Sequence, residues 1–132
     1  MNTDAHGQPT LNRTVLLVDD EKMVLEVGMA ILQRLGHAVV TAESGEEALD
    51  QLTAHRDAIG CVVLDLTMPG MDGKETFKRL REMAPQLPII IASGLSADQV
   101  ASQFSTDPVT AVIQKPYQVA DLSATIQHIL GK

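Results

Sequence analysis

Tryptophan is missing from the chain, and only one tyrosine and two phenylalanines occur among its 132 residues. The core must therefore be built from Val, Ile, Leu, Ala and Met, as suits an α/β domain. Cysteine is almost as scarce: Cys61 stands alone, which excludes an internal disulfide and any multi-cysteine metal site and suits a reducing cytoplasm. No apolar run approaches the roughly 18 residues of a membrane span. The polar start, Met1 to Arg13, lacks the pattern of a secretory signal, so a cytoplasmic chain without membrane insertion is expected. Positive charge is short as well. Ten Lys and Arg against 17 Asp and Glu leave a net charge of -7. Nucleic acid is thus not an expected partner, because nonspecific affinity for it comes largely from Lys and Arg displacing counterions. Internal repeats, low-complexity stretches and Pro/Gly-rich linkers are also missing from the interior. One domain over residues 14–132 is expected, preceded by a mobile polar tail over residues 1–13.

Short aliphatic runs are plentiful. Val15 to Val18, Cys61 to Leu64, Ile89 to Ala92 and Ala111 to Ile113 read as strands buried on both faces, and Ala38 to Ala42 as a weaker fifth. Helical patterns separate them. Val24, Gly28, Ile31 and Leu35 share one face of a first helix that ends near Gly36. Ser44 and Glu47 have the capping-box spacing that starts a second. Asp72 and Ser96 suit the starts of a third helix, with Phe77 and Leu80, and a fourth, with Val100 and Phe104. Leu122, Ile126, Ile129 and Leu130 form the apolar stripe of the last helix. Strand and helix alternate five times, which predicts a doubly wound α/β fold: a five-stranded parallel sheet with helices on both faces. Ligands of such sheets bind at the carboxyl ends of the strands.

That rim collects the chemistry. Asp19 and Asp20 directly follow the first predicted strand and Asp65 directly follows the third, so three acids meet at one end of the sheet. Unit charges about 4 Å apart at an effective dielectric near 20 repel by roughly 4 kcal/mol, so the cluster calls for a cation or a basic partner. Mg²⁺ (or Mn²⁺) suits it, being content with one or two carboxylates, a carbonyl, waters and a phosphate. Lys115 follows the fifth strand and Ser93 ends the fourth, which adds an ammonium and a hydroxyl for phosphate oxygens. Phosphoryl transfer to a carboxylate nucleophile, Asp65, needs these parts and little else.

VLLVDDE, VVLDLTMPGMDG, IIIASG and QKPY, in this order and spacing over Thr14 to Leu130, resemble the receiver domains of two-component signalling. The combination is specific, because each motif ends a different predicted strand. The resemblance implies the flavodoxin-like (βα)5 form of the fold and makes Asp65 the phosphoacceptor. It implies that Asp20, Asp65 and the Thr67 carbonyl hold the metal, with Asp19 acting through water. Lys115 would pair with the phosphoryl group, Ser93 would hydrogen-bond it, and the Lys115–Pro116 bond would be cis. The donor implied is a phosphohistidine on a histidine kinase or histidine phosphotransfer domain. The domain would catalyse only its own phosphorylation and dephosphorylation.

The match has one departure. Many receivers carry Tyr or Phe three residues before the conserved Lys, where this chain has Val112, so the usual Ser-to-aromatic relay is in doubt. Tyr117 is the alternative aromatic near the site. No effector sequence follows the last helix, so output is expected through contact with a downstream protein. Two rival readings fit the residues less well. A haloacid-dehalogenase-like phosphatase would need a second acid two residues after Asp65, where Thr67 stands. A degenerate receiver acting as a constitutive interaction module would ordinarily have lost an acid or the Lys, and this chain keeps them all. His6, His37, His55 and His128 show no metal-ligand spacing and receive no role. Met68, Met71 and Cys61 read as packing.

Overall fold

The computed structural model describes residues 14–66, 73–94 and 110–130. The expected tail, the Thr67 carbonyl and the helix expected around Val100 and Phe104 lie outside the described residues. Along the described chain run β1 (Thr14–Val18), α1 (Lys22–Arg34), β2 (Val39–Ala42), α2 (Gly45–His55), β3 (Ile59–Asp65), α3 (Gly73–Met83), β4 (Ile89–Ser93), β5 (Thr110–Gln114) and α4 (Val119–Leu130). All five expected strands are present. They form one parallel sheet in the order β2-β1-β3-β4-β5. The order reverses direction between β1 and β3, which is the switch point where such sheets open a crevice.

Successive strand residues point to opposite faces, and both faces are covered. Leu16, Val18, Val62, Leu64, Ile89 and Ile91 pack with Ala48 and Leu52 of α2 and Leu80 of α3. Val15, Leu17, Cys61, Val63, Ile90 and Ala92 pack with Leu25, Ile31 and Leu32 of α1 and Leu122 and Ile126 of α4. Each fully buried Leu or Ile contributes roughly 1.5–3 kcal/mol by leaving water. The two layers that hold the sheet are therefore mainly aliphatic, with Phe77 packed against one and Tyr117 against the other.

Local signals behave largely as expected. Ser44 caps α2, its hydroxyl accepting from the Glu47 amide at 3.0 Å. The Glu47 carboxylate accepts from the Glu43 amide. The return bond expected at the amide of Ser44 thus falls one residue earlier. On α1 the buried stripe is Leu25, Gly28, Ile31 and Leu32, with Val24 and Leu35 half-buried at its margins. The helix is rotated slightly from the expected face because Leu25 and Leu32 offer more apolar area than Val24 and the terminal Leu35. Phe77 and Leu80 of α3 both meet the core. At the start of α3, a Cβ on Gly73 would fall 2.2 Å from the Leu66 carbonyl oxygen, so only glycine allows the Gly73 amide its 3.0 Å bond to that oxygen.

Candidate functional site

The register of the sheet builds the site. Val18 of β1 pairs with Leu64 of β3, so the next residues, Asp19 and Asp65, stand side by side. Asp65 in turn pairs with Ala92, and Ser93 with Gln114, which sets Lys115 just past the end of β5. The Lys115 amide extends the ladder with a 2.8 Å bond to the Ser93 carbonyl. Asp65 is the last residue of β3 rather than the first beyond it. Its place is set by ladder pairing with Ala92, which continues one residue past the aliphatic run that marks the strand in sequence.

Lys115 is the hub. Its Nζ lies 2.8 Å from Asp19 Oδ2, 3.5 Å from Asp65 Oδ1 and 3.9 Å from Glu21 Oε1. Asp19 is fully buried and Asp65 nearly so, whereas Asp20 and Glu21 are exposed. Burial works to lower the Lys115 pKa, but the hydrogen bond to Asp19 and the charges of Asp65 and Asp19 outweigh it and raise it. The ammonium is therefore held charged between two carboxylates. Asp19 Oδ1 accepts from the Glu21 amide at 3.0 Å, which fixes the carboxylate against the turn into α1. Its Oδ2 is buried and is met by the Lys115 ammonium.

Three carboxylates, of Asp19, Asp20 and Glu21, can bring ligand oxygens within 4.8 Å of one another. A hard divalent cation fits this all-oxygen set, which leaves room for waters on its exposed side. Glu21 was not expected in the cluster. Its signal was the third acid of the run Asp19-Asp20-Glu21, hidden because a residue after two site acids reads as the start of a helix.

The described residues thus bring Asp19, Asp65 and Lys115 into contact and set Asp20 beside Asp19. Ser93 closes β4, buried, one residue beyond the partner of Asp65. The Lys115–Pro116 peptide is cis. Tyr117 follows, its ring among the α1 and α4 core residues and its hydroxyl buried without a hydrogen-bond partner among the described residues. Val112 packs on the opposite face, with α2 and α3. Cys61 is buried in the core, which pushes its thiol up to about 12 and leaves it unreactive.

Comparison with known proteins agrees with this geometry. The chain is 35% identical over 130 residues to the sensor kinase CckA of Brucella abortus (strain 2308), a match covering 98% of this chain and 13% of the kinase. It is 31% identical over 125 residues to the alkaline phosphatase synthesis transcriptional regulatory protein PhoP of Bacillus subtilis (strain 168), covering 92% of this chain and 50% of that protein. The chain thus spans half or less of the length of these relatives. Among solved structures it resembles the chemotaxis protein CheY4 of Vibrio cholerae, with a TM-score of 0.81 and 28% identity over 89% of this chain and 98% of that one. It also resembles a chain of the CheX-CheY-BeF3-Mg complex of Borrelia burgdorferi, with a TM-score of 0.84 and 28% identity over 96% of this chain and 93% of that one. Residues 15–127 match the response regulator receiver domain as a family. With the acids, the lysine and the serine at the carboxyl rim of a 2-1-3-4-5 sheet, the chain belongs to the response regulator receiver domains of two-component signal transduction.

Proposed function

We propose that Asp65 is the phosphoacceptor of this receiver domain, and that residues 14–132 form the phosphoaccepting unit. The observation that carries this is the Lys115 ammonium, 3.5 Å from the buried Asp65 carboxylate. An oxygen of Asp65 forms the new P–O bond as the P–N bond of a phosphohistidine breaks, and the leaving imidazole nitrogen regains a proton. The donor is a histidine kinase or histidine phosphotransfer domain. Lys115 neutralises one phosphoryl oxygen and the Ser93 hydroxyl donates to another. Asp19, Asp20, Asp65 and the Thr67 carbonyl would hold Mg²⁺ or Mn²⁺, with Glu21 at the margin. The cation supplies neutralisation of the charge that gathers on the phosphoryl oxygens. The same groups position water for later hydrolysis, so the domain turns over its own phosphoryl group and no other substrate.

Signalling then proceeds by phosphorylation-dependent contact with a downstream protein in the cytoplasm. Among the described residues no helix is long and apolar enough to cross a membrane. Val112, in place of an aromatic, favours a second reading, a receiver that binds its partner constitutively.

Intact-protein mass after incubation with acetyl phosphate and Mg²⁺ separates the two. The expected result is a labile gain of one phosphoryl group, lost in Asp65→Asn and with a chelator. Lys115→Ala should still take up the group but lose the change in partner affinity. Stable phosphate on Asp65→Asn would sink the assignment of the acceptor, and no uptake from acetyl phosphate or phosphorylated kinases would favour the constitutive module.

A further inference from the structure

One buried polar atom close to the site, the Tyr117 hydroxyl, has no hydrogen-bond partner among the described residues. Leaving such a group unpaired costs free energy, so its burial asks for a state in which it is satisfied. For Asp19 the compensation is visible: the Lys115 ammonium sits 2.8 Å from Oδ2. Among the described residues nothing compensates Tyr117. Its ring is held over α1, where a Cβ on Gly28 would come within 3.2 Å of Cε2, so the absence of a side chain at Gly28 makes the seat. Burial raises the pKa of the phenol, the charges of Asp19 and Asp65 raise it further, and the group stays a neutral donor. It is a neutral donor in the field of carboxylates that the Lys115 ammonium already occupies.

We propose that Tyr117 replaces Lys115 on Asp19: when the ammonium turns to a phosphoryl oxygen on Asp65, the Tyr117 hydroxyl donates to Asp19 Oδ2. This inference rests on the phosphoacceptor reading above. Tyr117 is then a positioning residue. It stabilises the phosphorylated arrangement by satisfying the carboxylate that Lys115 leaves, and it carries the change to α1 through the ring seated on Gly28. A relay through the phenol also differs from one through Val112, which packs against the other face of the sheet.

The chain has a single tyrosine, so one ¹³Cζ resonance of labelled Tyr reports the phenol alone. Beryllofluoride with Mg²⁺ serves as the phosphoryl mimic, its binding followed separately by ¹⁹F NMR. Binding should move the Tyr117 resonance downfield. Tyr117→Phe keeps the ring in its seat, and should raise the melting temperature of the unliganded protein while weakening beryllofluoride binding by roughly tenfold, the worth of a hydrogen bond to a charged group. Opposite signs in the two quantities are the signature that a purely structural tyrosine would not give. Beryllofluoride bound with an unmoved tyrosine signal and equal affinity in Tyr117→Phe would overturn the exchange alone. No binding to the wild-type protein would overturn the phosphoacceptor reading and the exchange with it.

Discussion

The two faces of the sheet are made by alternate residues of the same strands, yet they differ in kind. Toward α2 and α3 the packing is aliphatic apart from Phe77 and the buried Thr76 of α3. Toward α1 and α4 the alternate set, Val15 and Leu17 on β1 and Cys61 and Val63 on β3, runs in the same parity into Asp19 and Asp65. Tyr117 and the one cysteine of the chain belong to this second face too. The period of two along a strand thus sends Asp19 and Asp65 to the rim of one face, while on β4 Ser93 continues the parity of Ile89 and Ile91 at the rim of the other. A receiver needs both. The packed face sets the register, and the register places the carboxylates.

Mutations can break this contrast on either side. The largest expected effect is on the packing face: Leu80→Ala removes a fully buried side chain and should cost about 2–5 kcal/mol in denaturant unfolding. It should leave phosphoryl uptake by the folded protein intact, and a parallel loss of uptake would deny the division of labour. On the other face Cys61 gives a pH effect. Burial raises its folded-state pKa from 9.0 to about 12, so above pH 9 the unfolded chain loses a proton that the folded chain keeps. Stability then falls with rising pH, by on the order of 1 kcal/mol between pH 8 and pH 10. Urea titrations of wild type and Cys61→Ala should show a shallower alkaline slope in the variant.

A smaller perturbation aims at the seat of Tyr117. In Gly28→Ala the new Cβ would fall 2.8 Å from Leu17 Cδ2 and 3.2 Å from the Tyr117 ring. The crowding should exceed the roughly 1 kcal/mol of helix propensity gained, for a net loss of about 1 kcal/mol. It should also shift the Tyr117 NMR signal, whereas Leu80→Ala should not. The smallest is Ser44→Ala, which removes the cap of α2 far from the rim and should cost about 1 kcal/mol with no change in uptake.

Sequence reasoning reached the strands closely because each is a short aliphatic run, and a run buried on both faces needs no tertiary partner to be recognised. Helix faces were legible to within one position. On α1 the buried stripe contains Leu25 and Leu32 where Val24 and Leu35 were expected, since rotation about a helix axis is settled by what the helix packs on. Asp19, Asp20, Asp65, Ser93 and Lys115 were legible as a set because each closes or follows a strand. Glu21 and the seat of Tyr117 were not. Glu21 joins through a turn, and the ring meets Gly28 from far along the chain.

Order and composition by themselves determined the fold class, the rim on which the chemistry gathers and the acids and lysine that gather there, because alternation and strand-end position are local properties. Only the tertiary structure decided which charges touch. Lys115 sits closer to Asp19 than to Asp65, and among the described residues the phenol close to the site is left without a partner. Those distances depend on the register of three strands and the seat of one ring on a helix, and such quantities arise from packing that no single segment of the chain contains.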